Sequence, residues 1–183
     1  MKSIRQKRLA KMDFIKCGIE YLDVLSDMYF RVVEHLEKNI NYPKWSKNYP
    51  CRDSIKVAIE KGEQYACSQN GVVLGAAVLN EDPNGNYDVG DWSKHLKKGE
   101  YLIIHTLAVD PLHEHKGVGG YMVDKCIDIA ESKGYKAIRL DVVPDNIPAI
   151  NLYKNKGFTF AGIKDLSRNI NGIPLFGLYE LNF

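Results

Sequence analysis

The chain has 183 residues, 45% of them hydrophobic, and a formal net charge of +2. That length and apolar content fit one domain with a full core, and the near-balanced charge gives no electrostatic case for nucleic acid. No apolar run approaches the roughly 20 residues of a membrane span, and the four cysteines have no CxxC spacing. The chain is therefore expected in a reducing cytoplasm, without a membrane, a metal or a disulfide framework.

Residues 1–12, MKSIRQKRLAKM, read as a basic N-terminal tail or an extension of the first helix, and residues 13–183 as a single domain. Phe14 to Cys17 is a candidate short strand. From Ile19 to Lys38, the residues Leu22, Leu25, Met28, Tyr29, Val32, Val33 and Leu36 recur three and four apart, the pattern of one helical face. Pro43, Trp45 and Pro50 make 41–50 an ordered loop. A second helix is expected from Asp53 to Lys61, stopped by Gly62. Tyr65–Ser68 and Val72–Leu79 flank Asn70-Gly71 as a hairpin with a type I′ turn.

The polar stretch from Asn80 to Gly99 is longer than an ordinary connection, hence functional or mobile. Tyr101–Val109 reads as a strand, and Val118–Lys133 as a helix with Met122, Cys126 and Ile129 inward. Ala137–Val143 is a further strand and Pro148–Lys156 a short helix ended by Gly157. Phe158–Ile163 and Leu175–Leu181 form a second hairpin around Asn171-Gly172. The terminal strand is a candidate for pairing between subunits, which would make a homodimer.

The segment Leu107–Tyr121, LAVDPLHEHKGVGGY, carries the chemistry. A strand ends at a proline and glycines open a helix, whose free amides and dipole favour an anion. A P-loop is excluded, because Gly119 is followed by Gly120 and Tyr121 rather than by Lys and Ser or Thr. A dinucleotide fingerprint lacks its third glycine, Met122 standing there.

The run from Glu114 through Gly119 resembles motif A of the GNAT superfamily of N-acetyltransferases, a strand followed by Gln/Arg-x-x-Gly-x-Gly/Ala and a helix. Glu114 stands where Gln or Arg is usual. Asn146-Ile-Pro-Ala-Ile-Asn151-Leu-Tyr153-Lys-Asn-Lys-Gly157-Phe158 is similar to the segment after the fifth strand of these enzymes. The resemblance covers Gln64 to Phe183, and the N-terminal third matches in its order of elements.

The resemblance implies an α+β fold with three α/β/α layers: a mixed, mainly antiparallel sheet with a central splayed parallel pair, flanked by helices. It implies an acetyl-CoA-dependent N-acetyltransferase that acetylates a primary amine of a small molecule or peptide by direct attack in a ternary complex, with no metal. The alternative is the same fold retaining acyl-CoA as a silent binding or sensor module. Pantetheine would bond along Leu107, Ala108 and Val109, and the pyrophosphate would sit on the amides of His115, Lys116, Gly117, Val118, Gly119 and Gly120. Asn146, Asn151 and Tyr153 belong to the same cofactor set.

Tyr153 is the candidate general acid for the leaving thiolate; its plain reading is packing against the sheet. His105 is the candidate general base, taking the amine proton through a water, with Glu100 the runner-up. Strand alternation puts His105, Leu107 and Val109 on one face and Thr106 and Ala108 on the other. A histidine bonded within the sheet is the competing reading. Asp141 is placed on the fifth strand, either reaching the cleft or at the edge of the core. Tyr29, Trp45, Tyr49 and Trp92 suggest an aromatic-lined acceptor cleft.

Overall fold

A computed structural model describes residues 11–114 and 116–183. The basic tail therefore lies, except for Lys11 and Met12, outside the described residues, as does His115. Among the described residues seven strands form one sheet: β1 (Asp13–Lys16), β2 (Gln64–Gln69), β3 (Val72–Asn80), β4 (Tyr101–Val109), β5 (Ala137–Val142), β6 (Thr159–Lys164) and β7 (Phe176–Asn182). Their spatial order is β1-β2-β3-β4-β5-β7-β6. The α-helices of the described residues are α1 (Leu22–Lys38), α2 (Arg52–Glu60), α3 (Val118–Ser132) and α4 (Ile147–Asn155). Every neighbouring pair is antiparallel except β4 and β5. The expected mixed sheet with one parallel pair is what the chain forms.

The helices make the outer layers for a reason visible in their stripes. Leu25, Met28, Tyr29 and Val32 of α1 join Ile55 and Ile59 of α2 in a cluster against Ala76 and Ala108 on one sheet face. On the other face Val123, Cys126 and Ala130 of α3 meet Ile150 and Tyr153 of α4 over Leu102, Ile104, Ile138 and Leu140. The inward stripe of α3 is Met122, Val123, Cys126 and Ala130; Ile129, expected in it, is only half-buried. Gly75 lets α3 sit close. A Cβ there would stand 2.8 Å from Met122 Sδ and 2.7 Å from the Ala108 carbonyl.

The Asn70-Gly71 turn has both φ angles positive, 52° and 78°, as a type I′ turn requires. The second hairpin departs from expectation in two ways. Its connection is a long loop with an isolated bridge between Ile170 and Ile173 rather than a tight turn at Asn171-Gly172. Strand β7 is also inserted between β5 and β6, paired Ile138↔Leu181 on one side and Phe160↔Tyr179 on the other. Both its edges are taken within the chain, so it offers no edge for a second subunit.

The stretch 81–100 is ordered rather than loose. Trp92 stacks its ring 4.1 Å from the Arg139 guanidinium, and Trp92 Nε1 donates to the Tyr87 carbonyl at 2.6 Å. Arg139 is 2% exposed, with Tyr101 on its other side and Glu180 Oε2 at 3.5 Å. Among the described residues no helix is long and apolar enough to cross a membrane.

Candidate active site

The parallel ladder between β4 and β5 stops early. It pairs Tyr101↔Ala137, Leu102↔Ile138 and Ile103↔Arg139 and then ends, although β4 runs to Val109 and β5 to Val142. The remaining halves diverge, leaving backbone polar groups of Ile104–Val109 on that side without a strand partner. Such groups need another partner.

Within that free half β4 carries a bulge. Ala76 pairs with Ala108 but Val78 with His105, so β4 has one residue more than β3 over this interval. Thr106 takes φ 45°, unusual for a β-branched residue. Its carbonyl accepts the hydroxyl of Tyr29, 2.9 Å away on α1. The bulge reverses the alternation expected for this strand. His105 faces α2 with the cleft residues, whereas Leu107 and Val109 pack on the α3 side and Ala108 faces α1.

His105 is held by two acceptors. Its Nε2 lies 2.9 Å from the Asp82 carbonyl and 3.1 Å from Asn80 Oδ1. Asn80 in turn donates from Nδ2 to Glu63 Oε2 at 3.0 Å. With acceptors on Nε2, that nitrogen carries the proton and Nδ1 keeps the lone pair. Burial lowers the imidazole's pKa, partly countered by the Asp141 carboxylate, so the ring is neutral at pH 7.

Beyond the bulge the chain turns through Asp110 into α3. Asp110 is 1% exposed; its Oδ1 accepts the Leu112 N–H at 3.1 Å, and Arg31 clamps the carboxylate from α1. Gly117 begins α3 in the left-handed region at φ 76°. Among the described residues no side chain caps this helix, and its first turn holds no acid. Its first N–H groups are thus left for a ligand. Gly119 and Gly120 follow within the first turn, half-buried. Lys116 Nζ lies 3.4 Å from His113 Nδ1. Glu114 turns toward His35 on α1, 3.9 Å away, rather than toward the α3 amides.

Tyr153 projects from α4 into the cluster that also takes in Leu107 of β4 and Val142 of β5, so it spans the split. Its ring meets Phe158 edge-on at 5.6 Å. Its hydroxyl has no hydrogen-bond partner among the described residues, and burial pushes its pKa up. Asn146 caps α4, accepting the Ala149 N–H at 3.3 Å, and Asn151 is exposed on the outer side of the same helix.

Glu100 is not brought to this place. It lies at the opposite end of β4, six residues and about 20 Å of strand from Thr106, in an ion pair with Lys136 that holds its carboxyl below the usual range. Asp141 is also occupied. Arg168 grips it with both Nη atoms at 2.7 and 2.6 Å, and the Tyr87 hydroxyl donates to it at 2.7 Å. Of the four aromatic residues expected around a cleft, only Tyr49 lines it. Tyr29 and Trp45 belong to the α1 core cluster, and Trp92 covers Arg139.

The cleft itself, about 490 Å³, lies between α2 and residues 80–84 and ends at His105 and Thr106. Sequence reading passed over three of its supports: the bulge, the Arg31–Asp110 clamp and Arg168. Each depends on a partner far along the chain, and no local pattern marks it.

A split parallel pair beside a glycine-started helix, with a cleft on the opposite face of the same strand, defines an α+β fold of the GNAT type. The chain belongs to the Acetyltransferase (GNAT) family, whose profile matches residues 24–158. An uncharacterized N-acetyltransferase of Methanocaldococcus jannaschii is 28% identical over 140 residues, 75% of this chain and 56% of that protein. Streptothricin acetyltransferase of Streptomyces lavendulae is 36% identical over 62 residues, 34% of this chain and 33% of that protein. The chain thus spans about half or less of the curated relatives it matches. Among solved structures, a GNAT family acetyltransferase of Streptococcus agalactiae superposes with a TM-score of 0.73 at 16% identity, covering 94% of this chain and 95% of that one. The yncA protein of Salmonella typhimurium, solved with its cofactor acetyl-CoA, gives 0.67 at 18% identity, covering 93% of each chain.

Proposed function

We propose that this chain transfers the acetyl group of acetyl-CoA to a primary amine of a small molecule or peptide, by direct attack within a ternary complex. The observation that carries this reading is the early end of the β4/β5 ladder at Ile103↔Arg139, next to the uncapped N-terminus of α3. Pantetheine takes the place of the missing strand along the free edge of Leu107–Val109. The amides from Lys116 to Gly120, made accessible by the φ of Gly117, receive the pyrophosphate.

The bulge at Thr106 frees a backbone N–H next to Leu107, which is aimed at the thioester carbonyl and holds the charge that develops there. His105 Nδ1 takes the ammonium proton through a water, its lone pair available because Nε2–H is committed to Asn80 and Asp82. The Tyr153 hydroxyl, protonated and without a competing partner, gives its proton to the departing thiolate.

The test is acetyl-CoA with a panel of amines and peptides, read as free thiol. Thiol released only when an amine is present supports transfer. Tight acetyl-CoA binding with no amine-dependent thiol leaves the silent binding module and rejects the enzyme.

A further inference from the structure

The acceptor cleft has a one-sided charge. Its ionisable lining is Asp53, Glu63 and Asp82 together with Tyr49 and neutral His105, and among the described residues no lysine or arginine lines it. None of the three carboxylates has a cationic partner within 4.0 Å among the described residues. Arg168, which reaches the wall of the cleft at residues 83–84, is already spent on Asp141 and the carbonyls of Pro83 and Asn84.

A second feature points the same way and does not depend on those acids. Gln64 lines the cleft and is 1% exposed. Its Nε2 donates to the carbonyls of Tyr65 and Ala77 at 3.2 and 3.0 Å. Its Oε1 is buried with no hydrogen-bond partner. A buried acceptor without a donor is costly, and an N–H of a bound ligand would satisfy it. The apolar wall of Ile55, Ala58 and Val78 fits a methylene chain.

From this geometry we infer that the acceptor is an aliphatic di- or polyamine bearing no carboxylate, an inference that rests on the transferase reading only for which nitrogen is acetylated. One nitrogen lies at His105 and the bulge, and a second, protonated nitrogen lies among Asp53, Glu63 and Asp82. An α-amino acid would bring a carboxylate into a field of three negative charges and find no cation among the described lining residues to hold it.

The experiment is titration calorimetry on the CoA-saturated protein with spermidine, butylamine and L-lysine, repeated on Asp53→Asn and Asp82→Asn, two exposed positions whose replacement leaves the core intact. Spermidine is expected to bind at least about tenfold tighter than L-lysine, and each variant to weaken it about threefold, with CoA affinity unchanged. L-lysine binding as tightly as spermidine, or variants that bind spermidine like the parent, would overturn the inference. Spermidine that binds through these acids without amine-dependent thiol release would keep the inference and remove the transferase reading. Thiol release with peptides or amino acids alone, with no spermidine binding, would do the reverse.

Discussion

Arg31 Nη2 lies 2.6 Å from Asp110 Oδ2, tying α1 to the turn that carries β4 into the amides of α3. Burial alone would push the Asp110 carboxyl up, but the Arg31 hydrogen bonds and the Leu112 N–H bring it below the usual carboxylate range. A lowered folded pKa stabilises fully above the unfolded value and is lost as pH falls through the folded one. In Arg31→Ala the main counterweight to burial is gone and the Leu112 N–H remains, so the acid-unfolding midpoint should move to higher pH. At pH 7 the loss should be about 1–3 kcal/mol, held to that range because the Arg31 side chain is 39% exposed. Circular dichroism through an acid titration reads both; an unmoved midpoint contradicts the clamp.

His105 sets a pH dependence of its own. Its pKa is lowered from the ordinary 6.5, burial being the largest cause. With both substrates saturating, kcat should hold above pH 6.5 and fall as pH drops through the lower folded value. His105→Gln should remove that acid limb and reduce kcat about 10²-fold or more. The same shift makes the fold less stable as pH falls below 6.5, since the unfolded imidazole takes up the proton first. A variant that keeps the parent acid limb removes His105 as the base.

Local chemistry made much of this readable. The bounds of β4, the type I′ turn at Asn70-Gly71 and the glycine entry into α3 follow from short-range patterns, and the structure reproduces them. The splay of β4 from β5 came with the resemblance in Glu114–Gly119 and Asn146–Phe158. The bulge was not readable. Nothing in Ile-His-Thr-Leu-Ala-Val calls for a threonine at φ 45°, and its support is a tyrosine 77 positions away. Missing it put His105 on the wrong side of the sheet relative to Leu107. Trp92 looked like a cleft residue because composition cannot reveal that Arg139, on another strand, requires a ring above it.

Gly117 and Gly119 should respond oppositely to alanine. At Gly117 a Cβ would meet no atom within 4 Å, but the φ of 76° remains, costing about 1–2 kcal/mol. At Gly119 a Cβ would lie 3.5 Å from Leu152 Cδ2 and 3.6 Å from Val109 Cγ2, ordinary contact inside a helix. Gly117→Ala should therefore lower the melting temperature by several degrees and weaken CoA binding about tenfold or more. Gly119→Ala should melt no lower than the parent, because alanine is the better helix former by about 0.5–1 kcal/mol. Equal melting temperatures for the two variants would show that the αL entry is not what shapes the loop.

Tyr153→Phe separates chemistry from packing. The ring is what fills the cluster, against Phe158, Ile150 and Leu140, and phenylalanine keeps it. Among the described residues the hydroxyl has no hydrogen-bond partner to orphan, so its removal leaves no unsatisfied group behind. Stability should stay within about 0.5 kcal/mol of the parent. If the hydroxyl protonates the leaving thiolate, kcat should fall about 10²-fold or more while acetyl-CoA affinity holds. The raised pKa keeps the phenol protonated well past neutral, so the donor is in the correct state wherever His105 is neutral. A variant with full kcat and parent stability would make Tyr153 a packing residue, and the thiolate would have to take its proton from solvent.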